Sequence, residues 1–140
     1  MCSSPHDPFY SAKRRLARAK KHAADLEIAG ISFVNSEPYV RTIDLDSNGI
    51  TKLHKVKLIK PFPEELSDIA TDSFDNLRSV LDQIAYGAAI ADGNPAPNFA
   101  YFPFSDTAEN WENRAKGLCK DVPSDVVAVF RRFEPYEYGN

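Results

Sequence analysis

The chain has 140 residues, 43% of them hydrophobic and 26% charged, which suits one domain with a real core and argues against disorder. No apolar run approaches the roughly 18 residues of a membrane span, and the N-terminus lacks the apolar stretch of a secretory signal. Two cysteines, Cys2 and Cys119, lie far apart and match no metal-ligand spacing, so a cytoplasmic protein with unpaired thiols, no metal and no cofactor is expected.

The net charge of −3 conceals an asymmetry. Lys13, Arg14, Arg15, Arg18, Lys20 and Lys21 place six positive charges on one segment, leaving an acidic body of −9.

In chain order, residues 1–8 have the composition of a loose arm. Ser11 is the expected N-cap of a basic helix over 9–35. Its apolar seam of Leu16, Ala19, Ala23, Leu26, Gly30 and Phe33 or Val34 suits packing along another long helix. Arg14, Arg15, Arg18 and Lys21 are candidates for nucleic-acid or partner contact. The competing reading is a solvated face that neutralises Asp72, Asp75 and Asp82, and no aromatic residue interleaves the basic run to favour single-stranded binding.

Pro38 breaks the helical period. Over 38–60 the chain tends to alternate and is rich in β-branched residues, with Asp46-Ser-Asn-Gly49 supplying turn chemistry, so a β-hairpin is expected. His54 shares a strand face with Val56 and Leu58 and reads as a half-buried spacer, because no second ligand stands at cooperative spacing.

Residues 63–92 form the central helix. Leu66, Ala70, Phe74, Leu77, Leu81, Ile84, Ala85 and Ala88 fall on one stripe at 3.6 residues per turn and should be core. Glu64 and Glu65 suit the first turn and Asp92-Gly-Asn-Pro-Ala-Pro97 ends the helix, while Gly87 costs about 1 kcal/mol relative to Ala without breaking it. In 99–140, Phe99-Ala-Tyr-Phe-Pro-Phe104 is expected as a short edge strand lying as an aromatic lid over the helix pair, with a base-stacking platform as the competing reading. Asp106 and Glu109 have capping-box-like spacing for a short helix through Lys116, with Trp111, Ala115 and Leu118 facing in and Gly117 ending it. Ser124 caps a last helix bearing Val126, Val127, Val129, Phe130 and Phe133, stopped by Pro135. The expected fold is α+β and mostly α: two long antiparallel helices joined by a hairpin, two shorter helices and the aromatic segment, in a single domain.

The stretch Asp72 to Ala85, with Pro38-Tyr39, Phe102-Pro103-Phe104 and Phe133-Glu-Pro-Tyr136 in the same order, resembles a widespread family of uncharacterised bacterial proteins. Members carry a segment like G-D-x-x-H-N-L-R-S-A-L-D-H on a long helix. That segment is in turn similar to the Arg-x4-His motif of HEPN domains, helical modules that often dimerise and, when active, cut RNA without a metal. The resemblance implies that Arg78 is the family arginine and Asp82 the acid before the histidine. Gln83 then stands at the histidine position and Asp75 at the other one. The relatives also continue past the final turn, so the chain reads as shorter than they are.

Metal-free RNA cleavage needs a proton acceptor and a proton donor near neutrality, which Gln83 cannot supply. Gln83 can still donate hydrogen bonds to a phosphate beside Arg78, with Asn76 on the same helix. The expected function is thus a non-catalytic HEPN-like module acting through protein or RNA contacts, as a possible homodimer. Two readings stay open: a small acidic interaction protein or inhibitor encoded by a phage or mobile element, and a metal-independent ribonuclease. Against any site, Asp75, Arg78 and Asp82 at i, i+3 and i+7 can form a surface clamp on the arginine, each pair worth a few tenths of a kcal/mol, roughly, when exposed.

Overall fold

The computed structural model describes residues 7–137 and 139. Most of the expected N-terminal arm, with Cys2, lies outside the described residues. The elements are α1 (Tyr10–Asn35), β1 (Tyr39–Leu45), β2 (Lys52–Leu58), α2 (Glu64–Ala91), α3 (Ala108–Leu118) and α4 (Ser124–Arg132). The chain is α+β and mostly helical, and its two long helices pack together. Among the described residues no helix is long and apolar enough to cross a membrane. The chain forms two compact units, Met1–Ala19 with Phe74–Asn140, and Lys20–Ser73.

In the first unit, α1 starts earlier than Ser11 suggests. Asp7 accepts the Phe9 N–H at 3.0 Å and the Lys13 ammonium at 2.6 Å. Its carboxylate therefore does the capping and leaves Ser11 inside the first turn. The Lys13 contact and the Phe9 N–H hold the Asp7 carboxyl below its ordinary range. The core of this unit gathers Ala85 and Ala89 of α2, Ala100 and Phe102 of the following segment, Trp111, Ala115 and Cys119 of α3, then Val122 and Phe130. Small side chains on α2 let the aromatic segment approach closely, and Phe102 lies 4.9 Å from Phe104 and 4.7 Å from Phe130 between ring centroids.

The aromatic segment forms no strand. Phe102 and Pro103 are buried while Phe99 and Tyr101 remain about half exposed. Its backbone is satisfied by other partners: the Asp121 carboxylate accepts the N–H groups of Asn98 and Phe99, the Leu118 carbonyl accepts that of Tyr101, and Trp111 Nε1 donates to the Pro103 carbonyl at 2.7 Å. Pairing with side chains and a helix end replaces a sheet ladder here.

Other expectations in this unit are corrected. Thr107, not Asp106, is the N-cap of α3, accepting from the Asn110 N–H, and the helix passes Gly117 to end at Leu118. Ser124 is the first residue of α4 rather than its cap, which is Pro123 without a side-chain hydrogen bond. The apolar stripe of α2 is buried at Ala85 and Ala88, but Phe74 is 71% and Leu77 41% exposed, because α3, α4 and the aromatic segment cover only the later turns. Val129 and Phe133 of the last helix also face out.

In the second unit, β1 and β2 form a two-stranded antiparallel sheet with Tyr39 opposite Leu58 and Leu45 opposite Lys52. The turn is wider than the Asn-Gly signal suggests. Asn48 Oδ1 accepts the N–H groups of Ile50 and Thr51, and the Asp46 N–H reaches the Thr51 carbonyl at 2.8 Å, so the second strand begins at Lys52. Gly49 supplies the positive φ of 68°. His54 is exposed rather than half-buried, and its Nδ1 accepts from Arg41 at 2.9 Å. Where the hairpin joins the helices, the Phe33 ring meets Phe62 edge-on at 5.6 Å and Tyr39 at 6.5 Å.

Candidate anion-binding site around Arg78

Arg78 projects from α2 in the first unit. Its guanidinium carbon lies 4.8 Å from the centre of the Phe104 ring. A cation over an aromatic face gains about 0.5–1 kcal/mol when exposed, and Arg78 remains exposed in this contact. The expected clamp by Asp75 and Asp82 does not form. Asp82 instead accepts the Phe102 backbone N–H at 3.0 Å, which ties α2 to the aromatic segment.

Around Arg78 opens a concavity of about 700 Å³ lined by Phe104, Ser105, Asp106, Asn110, Asn113 and Arg114. The first turns of α3 bring Asn110, Asn113 and Arg114 to one side because Trp111 and Ala115, on the opposite side of that helix, are buried in the core. Asp106 is occupied structurally: it accepts the Asn110 side-chain amide at 2.9 Å, the Ser105 hydroxyl at 3.0 Å and the Thr107 N–H at 2.9 Å. The Asn110 and Ser105 bonds hold its carboxyl below the usual range. The lining thus offers two permanent cations, one committed carboxylate and two amide side chains, a set suited to a phosphate or carboxylate. It includes no imidazole, thiol or amine able to exchange a proton near neutrality.

The remaining candidates separate. Gln83 donates to Ser79 Oγ at 3.3 Å, and its Oε1 is buried without a hydrogen-bond partner among the described residues. It does not line the Arg78 concavity. Asn76 is half-buried on α2. Arg14, Arg15 and Arg18 surround a smaller hollow of about 210 Å³ with Ser11, and Arg14 also stacks 5.8 Å from the Tyr10 ring centre. Lys21 belongs to the second unit, 4.0 Å from Asp25. Among the described residues Lys13 pairs with Asp7 and Lys21 with Asp25.

Arg114, Asn110 and Asn113 escaped the reading of the sequence. The signal that could have found them is the run Asn110-Trp-Glu-Asn-Arg114, whose polar positions at i, i+3 and i+4 share a helix face around a single core tryptophan. Among the described residues no group of three or more His, Cys, Asp or Glu side chains is placed to hold a metal. Comparison of the chain with protein-family models, curated proteins and solved structures found no match.

Proposed function

We propose that the chain is a non-catalytic, HEPN-like binding module that acts through RNA contact, with the Arg78 concavity as a phosphate seat. The observation that carries this reading is the convergence of Arg78 and Arg114, from two different helices, on an open polar hollow without a proton-exchanging group. Two guanidinium forks can clamp a phosphodiester, and Asn110 and Asn113 can add neutral donors to the same oxygens. The second arginine cluster, Arg14, Arg15 and Arg18, gives further backbone contacts on the same unit.

The test is a gel shift with a single-stranded RNA oligonucleotide across a salt series. Wild-type protein shifts the RNA at low salt and releases it as salt rises. Arg78→Ala and Arg114→Ala each lose most of the shift and flatten the salt dependence by about one phosphate contact. Absence of a shift at low salt sinks the reading.

A further inference from the structure

The second unit buries little of its own apolar surface. Between Lys20 and Ser73 the buried residues are Pro38, Leu66 and Ser73, whereas Ile43, Leu45 and Val56 of the hairpin are 56%, 63% and 74% exposed. A lone two-stranded sheet is marginal in water unless one face packs against something.

The register fixes which residues share a face. Tyr39 stands opposite Leu58, Arg41 opposite Val56, Ile43 opposite His54 and Leu45 opposite Lys52. One side of the hairpin is therefore apolar and cationic, with Arg41 beside His54 within it, Lys52 at its turn end and no acid. The other side carries Asp44 and Lys55, paired at 2.7 Å, together with Thr42 and Lys57 and only two apolar residues, Val40 and Leu53, which are less exposed at 40% and 41%.

The complement to that face lies in the same unit. A groove of about 830 Å³ runs between the later half of α1 and the start of α2, with Ile28, Leu66 and Ile69 as apolar lining and Asp25, Glu65 and Asp68 as acidic lining. From Glu64 to Ser73 the helix has four acids and no base. Apolar surface edged by cations and a groove edged by anions occur on one chain, so a second copy supplies both halves of the match.

We propose that two copies of the chain exchange hairpins about a two-fold axis, the apolar cationic face of each seating in the acid-lined groove of the other. An isologous contact is made twice, which brings two modest patches toward the roughly 1,600 Å² of a stable interface. The contact runs through the face, and Lys52, Lys55 and Lys57 make β2 an edge that resists further pairing. This surface is distinct from the Arg78 concavity and stands whether or not that hollow takes RNA.

Sedimentation equilibrium of the full chain over a concentration series tests the proposal. Wild-type protein dimerises, and added salt weakens the dimer. The double variants Arg41→Glu/Lys52→Glu and Glu65→Lys/Asp68→Lys each self-associate at least about ten-fold more weakly, since like charges then face each other in both contacts. Mixed in equal amounts, the two variants restore the dimer, because reversed hairpin meets reversed groove. Val56→Ser, at an exposed position that cannot unfold the monomer by opening a cavity, weakens the dimer while leaving far-ultraviolet circular dichroism unchanged. A wild-type monomer at every concentration, a dimer indifferent to both double variants, or a folded mixture that stays monomeric overturns it.

Discussion

The Asp82 carboxylate accepts the backbone N–H of Phe102 at 3.0 Å. This single bond joins α2 to the segment whose Phe102 ring lies in the core of the first unit, and it assigns to structure a residue that a helix-surface view gives to the neighbouring arginine. Removing the acceptor leaves a half-buried N–H without a partner, so Asp82→Ala should lower unfolding stability by about 1–3 kcal/mol. Asp82→Asn keeps an amide oxygen in the same place and should recover most of that loss. Urea unfolding of the two variants provides the measurement, and RNA binding by Asp82→Asn should stay at the wild-type level.

Replacing Gln83 by histidine restores the residue that the HEPN resemblance implies, yet no cleavage should appear. The Gln83 amide oxygen is buried and its nitrogen bonds Ser79 at 3.3 Å, so the side chain is turned into the helix surface rather than toward Arg78. A histidine there has no neighbouring proton-exchanging group in the Arg78 lining to act as its opposite number. Incubation of Gln83→His with labelled single-stranded RNA, in the presence of a chelator, should give the same intact band as wild type. Appearance of metal-independent products would revive the nuclease reading.

The period of the α2 stripe and the Pro38 break made the long helices and the hairpin legible, because both signals are local. Phe74 and Leu77 were misplaced for the complementary reason. Their period is right, but burial depends on what lies opposite, and α3, α4 and the aromatic segment gather over Ala85 and Ala89 instead. The Arg78 concavity was half legible. The helix position of Arg78 follows from spacing, whereas its partners Phe104 and Arg114 lie 26 and 36 positions onward in the chain and meet it only through tertiary packing. The reassignment of Asp82 has the same origin, since a backbone N–H from a distant loop leaves no trace in side-chain periodicity.

Gly87 shows how helix propensity can mislead. It lies buried on α2, and a Cβ at that position would stand 2.7 Å from the Pro8 carbonyl oxygen and 2.9 Å from the Phe9 ring. Alanine is favoured over glycine in a helix by about 1 kcal/mol. The obstruction is a backbone carbonyl and a ring edge rather than a flexible side-chain tip, so relief requires the start of α1 to shift, at about 1–3 kcal/mol. Gly87→Ala should therefore lower Tm, and a rise in Tm would show that the chain entering α1 yields freely.

Cys119 gives the last prediction, a decline of stability in alkali. Its sulfur donates to the Tyr101 carbonyl at 3.2 Å within the core, and burial pushes the thiol from 9.0 up to about 11. In the unfolded chain the thiol ionises near its ordinary value, so between about pH 9 and pH 11 the folded state holds the proton more tightly than the unfolded state does. The stabilisation from keeping the thiol neutral is complete below pH 9 and fades as pH rises through that window. Cys119→Ala removes this titration while opening only a small cavity. Its stability should fall less steeply than wild type over the same pH range, although it starts lower by about 1 kcal/mol. Parallel slopes for the two proteins in pH-dependent urea unfolding would show that the thiol is not the titrating group.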